Sequence, residues 1–254
     1  MLTFLQFLAE QYLEEKLILY NQGKRYGQIV FLAGGAGSGK GFAIRNFMEK
    51  EKFRVRDVDA WKTAFMKLAD TTDKYPEIKG LNLKNSKDVV KLHNFVKAKG
   101  IKEKSLDLLL RDVNARHAPN VIFDITMKDT SNIDAVIPKL LEVGYDPKNI
   151  HLTWVLTNYA VSIVNNRNRE RVVPEDIMLL SHEGAAKSMY DVVKGKLPRG
   201  LNGSVRVVLN NRDNTIPWID PDTKKPPRNS GGFGEQNGSL QILVRIQGFC
   251  FRSG

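Results

Sequence analysis

A glycine-rich loop directly after a short apolar run is the feature that most restricts the fold of this chain. The apolar run covers residues 29–33 and predicts a buried strand, and a helical pattern begins at Lys40. In such a loop successive N–H groups point at a phosphate, the helix start adds its positive end, and the lysine bridges the outer phosphates. This order predicts a nucleotide-binding α/β domain. The residues predicted to hold the phosphates are Gly34, Gly35, Ala36, Gly37, Ser38, Gly39, Lys40 and Gly41.

The loop departs from the usual phosphate-loop sequence at one position. Gly34, Gly39 and Lys40 have the Walker A spacing, but Gly41 stands where a Ser or Thr hydroxyl usually binds Mg²⁺, and Phe42 follows it. The loop is similar to that of adenylate kinases, in which a glycine also follows the lysine. ATP and Mg²⁺ are therefore the expected cofactors, with the hydroxyl of Ser38 or a water molecule replacing the missing ligand.

Short β-rich runs alternate with helical stretches along the chain, which is typical of a parallel sheet covered by helices on both faces. We predict an α/β fold, a doubly wound parallel five-stranded sheet of the P-loop kinase type with a helical insert and a lid. The predicted strands cover residues 28–33, 53–58, 120–125, 150–156 and 204–209, with a further edge strand at 240–246. The predicted helices cover residues 2–20, 40–51, 86–99, 103–115, 133–143, 159–171 and 182–194, with Ser86 as an amino-terminal cap.

Length and composition favour one domain with appendages. With 254 residues, 42% hydrophobic and 26% charged, the chain resembles an ordinary globular protein, and no apolar run approaches the roughly 20 residues of a membrane span. Its single cysteine, Cys250, favours a reducing, cytoplasmic setting. The predicted division is an N-terminal helix packed on the core (1–27), a kinase domain (28–210) with an acceptor-side insert (60–119) and a lid region (159–194), and a C-terminal arm (211–254).

Carboxylates at strand ends are the next candidates, because ligands of open α/β sheets gather at the carboxyl ends of the strands. Asp124 ends the third predicted strand and fits a Walker B carboxylate that holds Mg²⁺ directly or through water; capping of the next turn is the alternative. Asp57 and Asp59 lie two apart and would share a face of an extended strand. We favour Asp59 as the base that accepts a hydroxyl proton and Asp57 as its orienting partner, although the two roles can be exchanged.

An arginine-rich segment follows the fourth predicted strand. If it is helical, Arg167 and Arg171 lie four apart on one face, where guanidinium groups suit a lid that closes over phosphates. The alternative is a basic helix that only faces water.

Taken in order, the loop, the Asp-x-Asp pair, Asp124 and the arginine segment resemble the zeta-toxin-like group of P-loop kinases over residues 28–194. The resemblance implies a kinase in which Asp59 deprotonates a hydroxyl and Arg167 and Arg171 grip the ATP phosphates. The group includes toxins that phosphorylate nucleotide-activated sugars and bacteriophage kinases that act on hydroxymethylated DNA bases, in a bacterial or phage-infected cell.

The charge of the chain bears on the acceptor. The 39 basic residues exceed the 28 acidic ones by 11, and residues 84–104 alone carry seven lysines against Asp88 and Glu103. Such a surface favours DNA or another polyanion as acceptor; a solvated helix face is the alternative. Trp61 could stack on a base or pack locally, and His93 and His117 are expected to be surface residues. An NTPase switch without a phosphorylated product is the competing function.

Overall fold

A six-stranded sheet organises the computed structural model, which describes residues 27–48, 50–111, 113–114, 117–210 and 243–246. The strands are β1 (Ile29–Ala33), β2 (Arg54–Arg56), β3 (Val121–Ile125), β4 (Ile150–Leu156), β5 (Val205–Leu209) and β6 (Leu243–Ile246). Their order across the sheet is β2-β3-β1-β4-β5-β6. The first five strands are parallel, and β6 pairs antiparallel with β5 at the edge. The predicted parallel sheet of five strands is thus confirmed.

Helices connect these strands. The described helices are α1 (Lys40–Phe47), α2 (Val58–Thr71), α3 (Ser86–Ala98), α4 (Ile101–Leu110), α5 (Ser131–Glu142), α6 (Tyr159–Arg167) and α7 (Glu175–Val193). Single 3-10 turns lie at Lys50–Lys52, Pro76–Ile78 and Pro147–Asn149. Helices α2, α3 and α4 form the insert between β2 and β3, so the predicted helical insert is present.

Strand β1 lies at the centre of two apolar layers. Its alternate residues Ile29 and Phe31 pack in a cluster with side chains of α5 and α7, whereas Val30 and Leu32 pack with side chains of α1. All five β1 residues are buried, because a central parallel strand has no face left for water. Both faces of the sheet are therefore covered, and its carboxyl-terminal edge remains as the place for a ligand.

The largest error of the sequence prediction concerns residues 57–71. Asp57 and Asp59 do not share a face of an extended strand, because β2 already ends at Arg56 and α2 begins at Val58. The side chain of Asp57 accepts a hydrogen bond from the amide of Asp59 at 2.7 Å and so caps the helix. This helix was absent from the prediction.

The lid region also differs from its predicted form. Helix α6 ends at Arg167, so Arg167 and Arg171 do not lie on one helix face as predicted. Helix α7 begins at Glu175 instead of residue 182, directly after Pro174 and with acidic side chains in its first turn.

Smaller differences concern helix starts and the ends of the chain. Asn85, not Ser86, caps α3 through its side chain. The predicted helix at residues 2–20 and the irregular arm predicted at residues 217–238 lie outside the described residues, and the division into 1–27, 28–210 and 211–254 remains a prediction.

Candidate active site

The phosphate loop connects β1 to α1, as predicted, at the carboxyl end of the central strand. The Nζ atom of Lys40 donates to the carbonyl oxygens of Gly34 at 2.6 Å and Gly35 at 3.3 Å. The same Nζ lies 3.6 Å from Asp124 at the end of β3, the strand adjacent to β1. The structure thus brings together the lysine and the carboxylate that the sequence singled out.

Four side chains from outside the loop hold its carbonyl groups. Thr157 and Asn210 donate to the carbonyl oxygen of Ser38 at 2.6 and 2.8 Å. Asn165 of α6 donates to that of Gly37 at 3.0 Å. His182 of α7 contacts that of Ala36 at 2.8 Å.

These bonds also set the direction of the loop amides. A trans peptide unit places its N–H opposite its C=O, and the described residues contain no cis peptide bond. The N–H groups of Gly37 and Gly39, which follow the held carbonyls, therefore point to the opposite side of the loop. Inward amides are what a phosphate site needs.

Close packing explains two of the glycines. Gly37 and Gly39 have left-handed backbone with φ of 76° and 90°. A Cβ at Gly37 would overlap the carbonyl oxygen of Ser162, and one at Gly39 would overlap Asn210. Gly41 differs, since the nearest atom to a Cβ there is Nη1 of Arg45 at 3.5 Å, an ordinary contact distance.

The residues beside the loop fit a magnesium ion. Burial raises the pKa of Asp124, and the neighbouring charges of Asp57 and Asp59 raise it further, against the opposing effect of Lys40. The hydroxyl of Ser38 is buried and has no hydrogen-bond partner among the described residues. One carboxylate and one hydroxyl match the few protein ligands that Mg²⁺ takes when phosphates and water complete its shell. Within the described ranges, no group of three or more His, Cys, Asp or Glu side chains suits a metal ion.

Asp59 lies between two cations. The Nζ of Lys62, a buried side chain one turn further along α2, is 2.8 Å from the Asp59 carboxylate, and Nη2 of Arg171 contacts its other oxygen. Burial raises the pKa of Asp59, but the charges of Arg171 and Lys62 outweigh it and hold the pKa below its usual value. Asp59 is thus a charged acceptor in a fixed position.

Of the two predicted lid arginines, Arg171 contacts Asp59 and Arg167 does not. Arg171 lies in the segment between α6 and α7, and this segment is joined to the insert by the bond from the Val172 amide to the Leu83 carbonyl at 3.0 Å. Arg167 instead binds Glu175, with Nε and Nη2 at 3.0 and 2.5 Å from the carboxylate, and its side chain is 64% exposed.

The four side chains that hold the loop were not predicted from the sequence. Thr157 and Asn210 directly follow predicted strands, so their position at the carboxyl edge was a usable signal. Asn165 and His182 lie 128 and 146 residues from the carbonyls they contact, and no local pattern marks such pairs. The predicted surface histidines, His93 and His117, are exposed.

Comparisons with known proteins place this site in a family. The zeta toxin family model matches residues 10–218 of the chain. No curated protein matches it. No described helix combines the length and apolar character that a membrane span needs.

Solved structures with a similar fold are distant in sequence. A structure from the PezAT chromosomal toxin-antitoxin system of Streptococcus pneumoniae is 14% identical, with 84% of this chain and 76% of that chain covered and a TM-score of 0.46. The AvrRxo1-ORF1:-ORF2 complex is 15% identical, with 82% and 63% covered and a TM-score of 0.48, so this chain spans less than two thirds of that one.

A deoxyadenosine kinase from M. mycoides is 14% identical, with 70% of this chain and 88% of that chain covered and a TM-score of 0.35. Because every one of these TM-scores is below 0.5, the assignment depends on the family model and on the site described above. The chain belongs to the zeta toxin family and is a P-loop phosphotransferase.

Proposed function

We propose that this protein is a kinase that transfers the γ-phosphoryl group of ATP to a hydroxyl group. The observation that carries the proposal is the junction of β1, β3 and α2, where Lys40 lies 3.6 Å from Asp124 and Asp59 enters the electrostatic surroundings of Asp124. A phosphate-binding lysine, a metal-binding carboxylate and an acceptor carboxylate at one sheet edge are the parts that phosphoryl transfer needs.

The phosphates would be held by the loop amides and Lys40. Nζ of Lys40 would then exchange the carbonyl oxygens of Gly34 and Gly35 for phosphate oxygens. Asp124 and Ser38 are the residues that would hold Mg²⁺, which when bound neutralises part of the triphosphate charge. Gly35, Ala36, Gly37, Gly39 and Gly41 would contribute backbone only.

Asp59 would receive the acceptor hydroxyl and take its proton as the oxygen bonds to the γ-phosphorus and the bond from that phosphorus to ADP breaks. Its lowered pKa favours a role in orienting the hydroxyl, with proton transfer late in the reaction. Arg171, now on Asp59, would contribute its charge to the phosphoryl oxygens. Asp57 caps α2 with one oxygen and would orient Asp59, and Arg167 remains a further candidate for the phosphates.

We propose a nucleic acid, such as DNA with a hydroxymethylated base, or a nucleotide as the acceptor. The lysines of residues 84–104 are all exposed. Helix α3, which carries three of them, begins three residues after Leu83. The carbonyl of Leu83 accepts a hydrogen bond from the segment that carries Arg171. A phosphodiester backbone on α3 would therefore lie next to Asp59. A nucleotide-activated sugar is the alternative acceptor.

Incubation with γ-labelled ATP, Mg²⁺ and a panel of acceptors tests the proposal. The panel comprises plain DNA, hydroxymethylated DNA, nucleotides and nucleotide sugars. Label on one acceptor class is the expected result, whereas free phosphate with no labelled acceptor would favour an NTPase switch.

Two variants assign the roles. Asp59→Asn should lower transfer by about 10²–10⁴-fold while ATP affinity in calorimetry stays within about twofold, because the base acts on the acceptor. Lys40→Ala should weaken ATP binding itself. Asp73→Asn, at a fully exposed carboxylate, is the matched control and should behave as wild type. Full activity of Asp59→Asn would refute the assignment of the base.

A further inference from the structure

We infer that Asn165 and His182 are positioning residues for phosphate transfer, which hold the outer side of the phosphate loop so that its amides face the triphosphate. The inference rests on the proposed function. It concerns residues that lie on α6 and α7, far along the chain from the loop, and that belong to no phosphate-loop sequence pattern.

His182 covers the first half of the loop. The carbonyl oxygen of Ala36 can only accept, so Nε2 of His182, at 2.8 Å, carries the proton in this contact. The ring lies against Gly35, where an added Cβ would overlap it, and meets the ring of Tyr159 edge-on with centroids 5.4 Å apart. These three contacts fix the imidazole in place.

The charge environment agrees with this hydrogen bond. Burial lowers the pKa of His182; the bond to Ala36 opposes that effect, and the charge of Lys40 adds to it. The ring is therefore neutral at physiological pH, with its proton on Nε2.

Asn165 covers the second half. Its Nδ2 donates to the carbonyl oxygen of Gly37 at 3.0 Å, and the backbone of Ser162, one turn earlier on α6, closes the space around Gly37. The next residue, Asn166, is buried and exchanges hydrogen bonds with the backbone of Val173 at 2.7 and 3.0 Å. The end of α6 therefore joins the loop to the segment that carries Arg171.

Loss of either side chain should change the geometry of the loop peptides. Without His182, the carbonyl of Ala36 is free to rotate, and the N–H of Gly37 turns away from the phosphate with it. Without Asn165, the loop loses its hydrogen bond to α6 at Gly37, and the next amide, that of Ser38, stays bonded to the Gly35 carbonyl at 3.2 Å. Thr157 and Asn210 still hold Ser38, so the loop keeps its fold. The loss should appear in nucleotide affinity more than in stability.

Calorimetry of ATP with Mg²⁺ on the full chain tests the inference. His182→Ala and Asn165→Ala should each weaken binding by about tenfold, the effect of one well-placed hydrogen bond. The melting temperature should fall by less than about 5 °C. His182→Gln, which keeps an N–H donor, should recover most of the affinity.

Asn165→Asp keeps the shape of the side chain but replaces the donor with a charged acceptor that faces the Gly37 carbonyl. It should bind ATP at least as weakly as Asn165→Ala. Asn168→Ala and His117→Ala, at exposed positions, are the matched controls and should bind as wild type.

The outcomes separate the two ideas. If wild type binds ATP and Asn165→Asp and His182→Ala bind it equally well, only this inference is wrong. If wild type binds no ATP, the proposed function itself fails.

Discussion

The glycines of the phosphate loop are alike in sequence but differ in what surrounds them. Gly37 has a left-handed backbone against Ser162, whereas Gly41 lies in the first turn of α1, where an added Cβ would lie 3.5 Å from Nη1 of Arg45. The first is therefore required by the backbone. The second is a position where other sequences of this type carry a hydroxyl.

The same substitution at both positions should give opposite results. Gly41→Ser should raise the free energy of unfolding by about 0.5 kcal/mol, because serine is the better helix former, and should lower the Mg²⁺ concentration needed for half-maximal transfer. Gly37→Ser should lower the free energy of unfolding by at least about 2 kcal/mol and should weaken ATP binding. Urea unfolding and a Mg²⁺ titration measure these effects. If the Gly41→Ser variant folds but is inactive, the conclusion that position 41 has room for a side chain is wrong.

At the scale of elements, a buried histidine joins three parts of the sheet. The amide of Ser204 donates to Nδ1 of His151 at 2.8 Å, so Nε2 carries the proton and donates to Gln28 at 2.8 Å. His151 in β4 thus connects the residues that directly precede β1 and β5, at the sheet edge opposite the phosphate loop. Burial, together with the charge of Arg206, lowers the pKa of His151 to about 4.

This pKa predicts a pH dependence of stability. Between its ordinary value near 6.5 and about 4, the unfolded chain binds a proton that folded His151 does not, so stability is lost as pH falls through this window. The loss from this group should be about 2 kcal/mol at pH 5 relative to pH 7.5. In urea unfolding, His151→Gln should be less stable than wild type at pH 7.5, with the difference reduced by about that amount at pH 5. If the stability difference between His151→Gln and wild type is the same at both pH values, this prediction is wrong. His117→Gln is the control.

At the scale of the whole molecule, positive charge is concentrated on the insert. Four of its exposed lysines are already engaged: Lys79 with Asp73, Lys84 with the carbonyl of Arg169, Lys99 over two aromatic rings and Lys102 with Asn132. The α3 residues Lys87 and Lys91 are four apart and exposed, and their ammonium groups have no partner among the described residues. They are the best candidates for phosphate contacts.

Binding of DNA should therefore depend on salt through these lysines. Replacing both with glutamine should reduce the slope of log affinity against log salt by about 1.4–1.8, since each lost contact removes about 0.7 for single strands and 0.9 for duplex. Fluorescence anisotropy with labelled DNA at several salt concentrations measures the slope. Lys148→Gln, an exposed lysine outside the insert, is the control, and an equal effect of that variant would show general attraction without a defined surface.

Local patterns in the sequence are enough to predict the sheet and one half of the site. Buried parallel strands have a continuous apolar pattern, and the loop residues are contiguous, so β1 to β5, Lys40 and Asp124 were predictable from local signals. The sequence also placed Asp57 and Asp59 near the site. It did not predict that Asp57 caps α2, because a short strand that leads directly into a helix leaves no clear boundary.

Which side chains of the site pair with each other depends on the folded arrangement of the chain. Arg171 meets Asp59 across 112 positions of sequence, while Arg167 turns to Glu175 only eight residues away. Asn165 and His182 reach the loop from helices whose own patterns encode only their packing. Contacts of this kind arise when strand order brings distant segments to one edge of the sheet, and no local preference of the chain records that meeting.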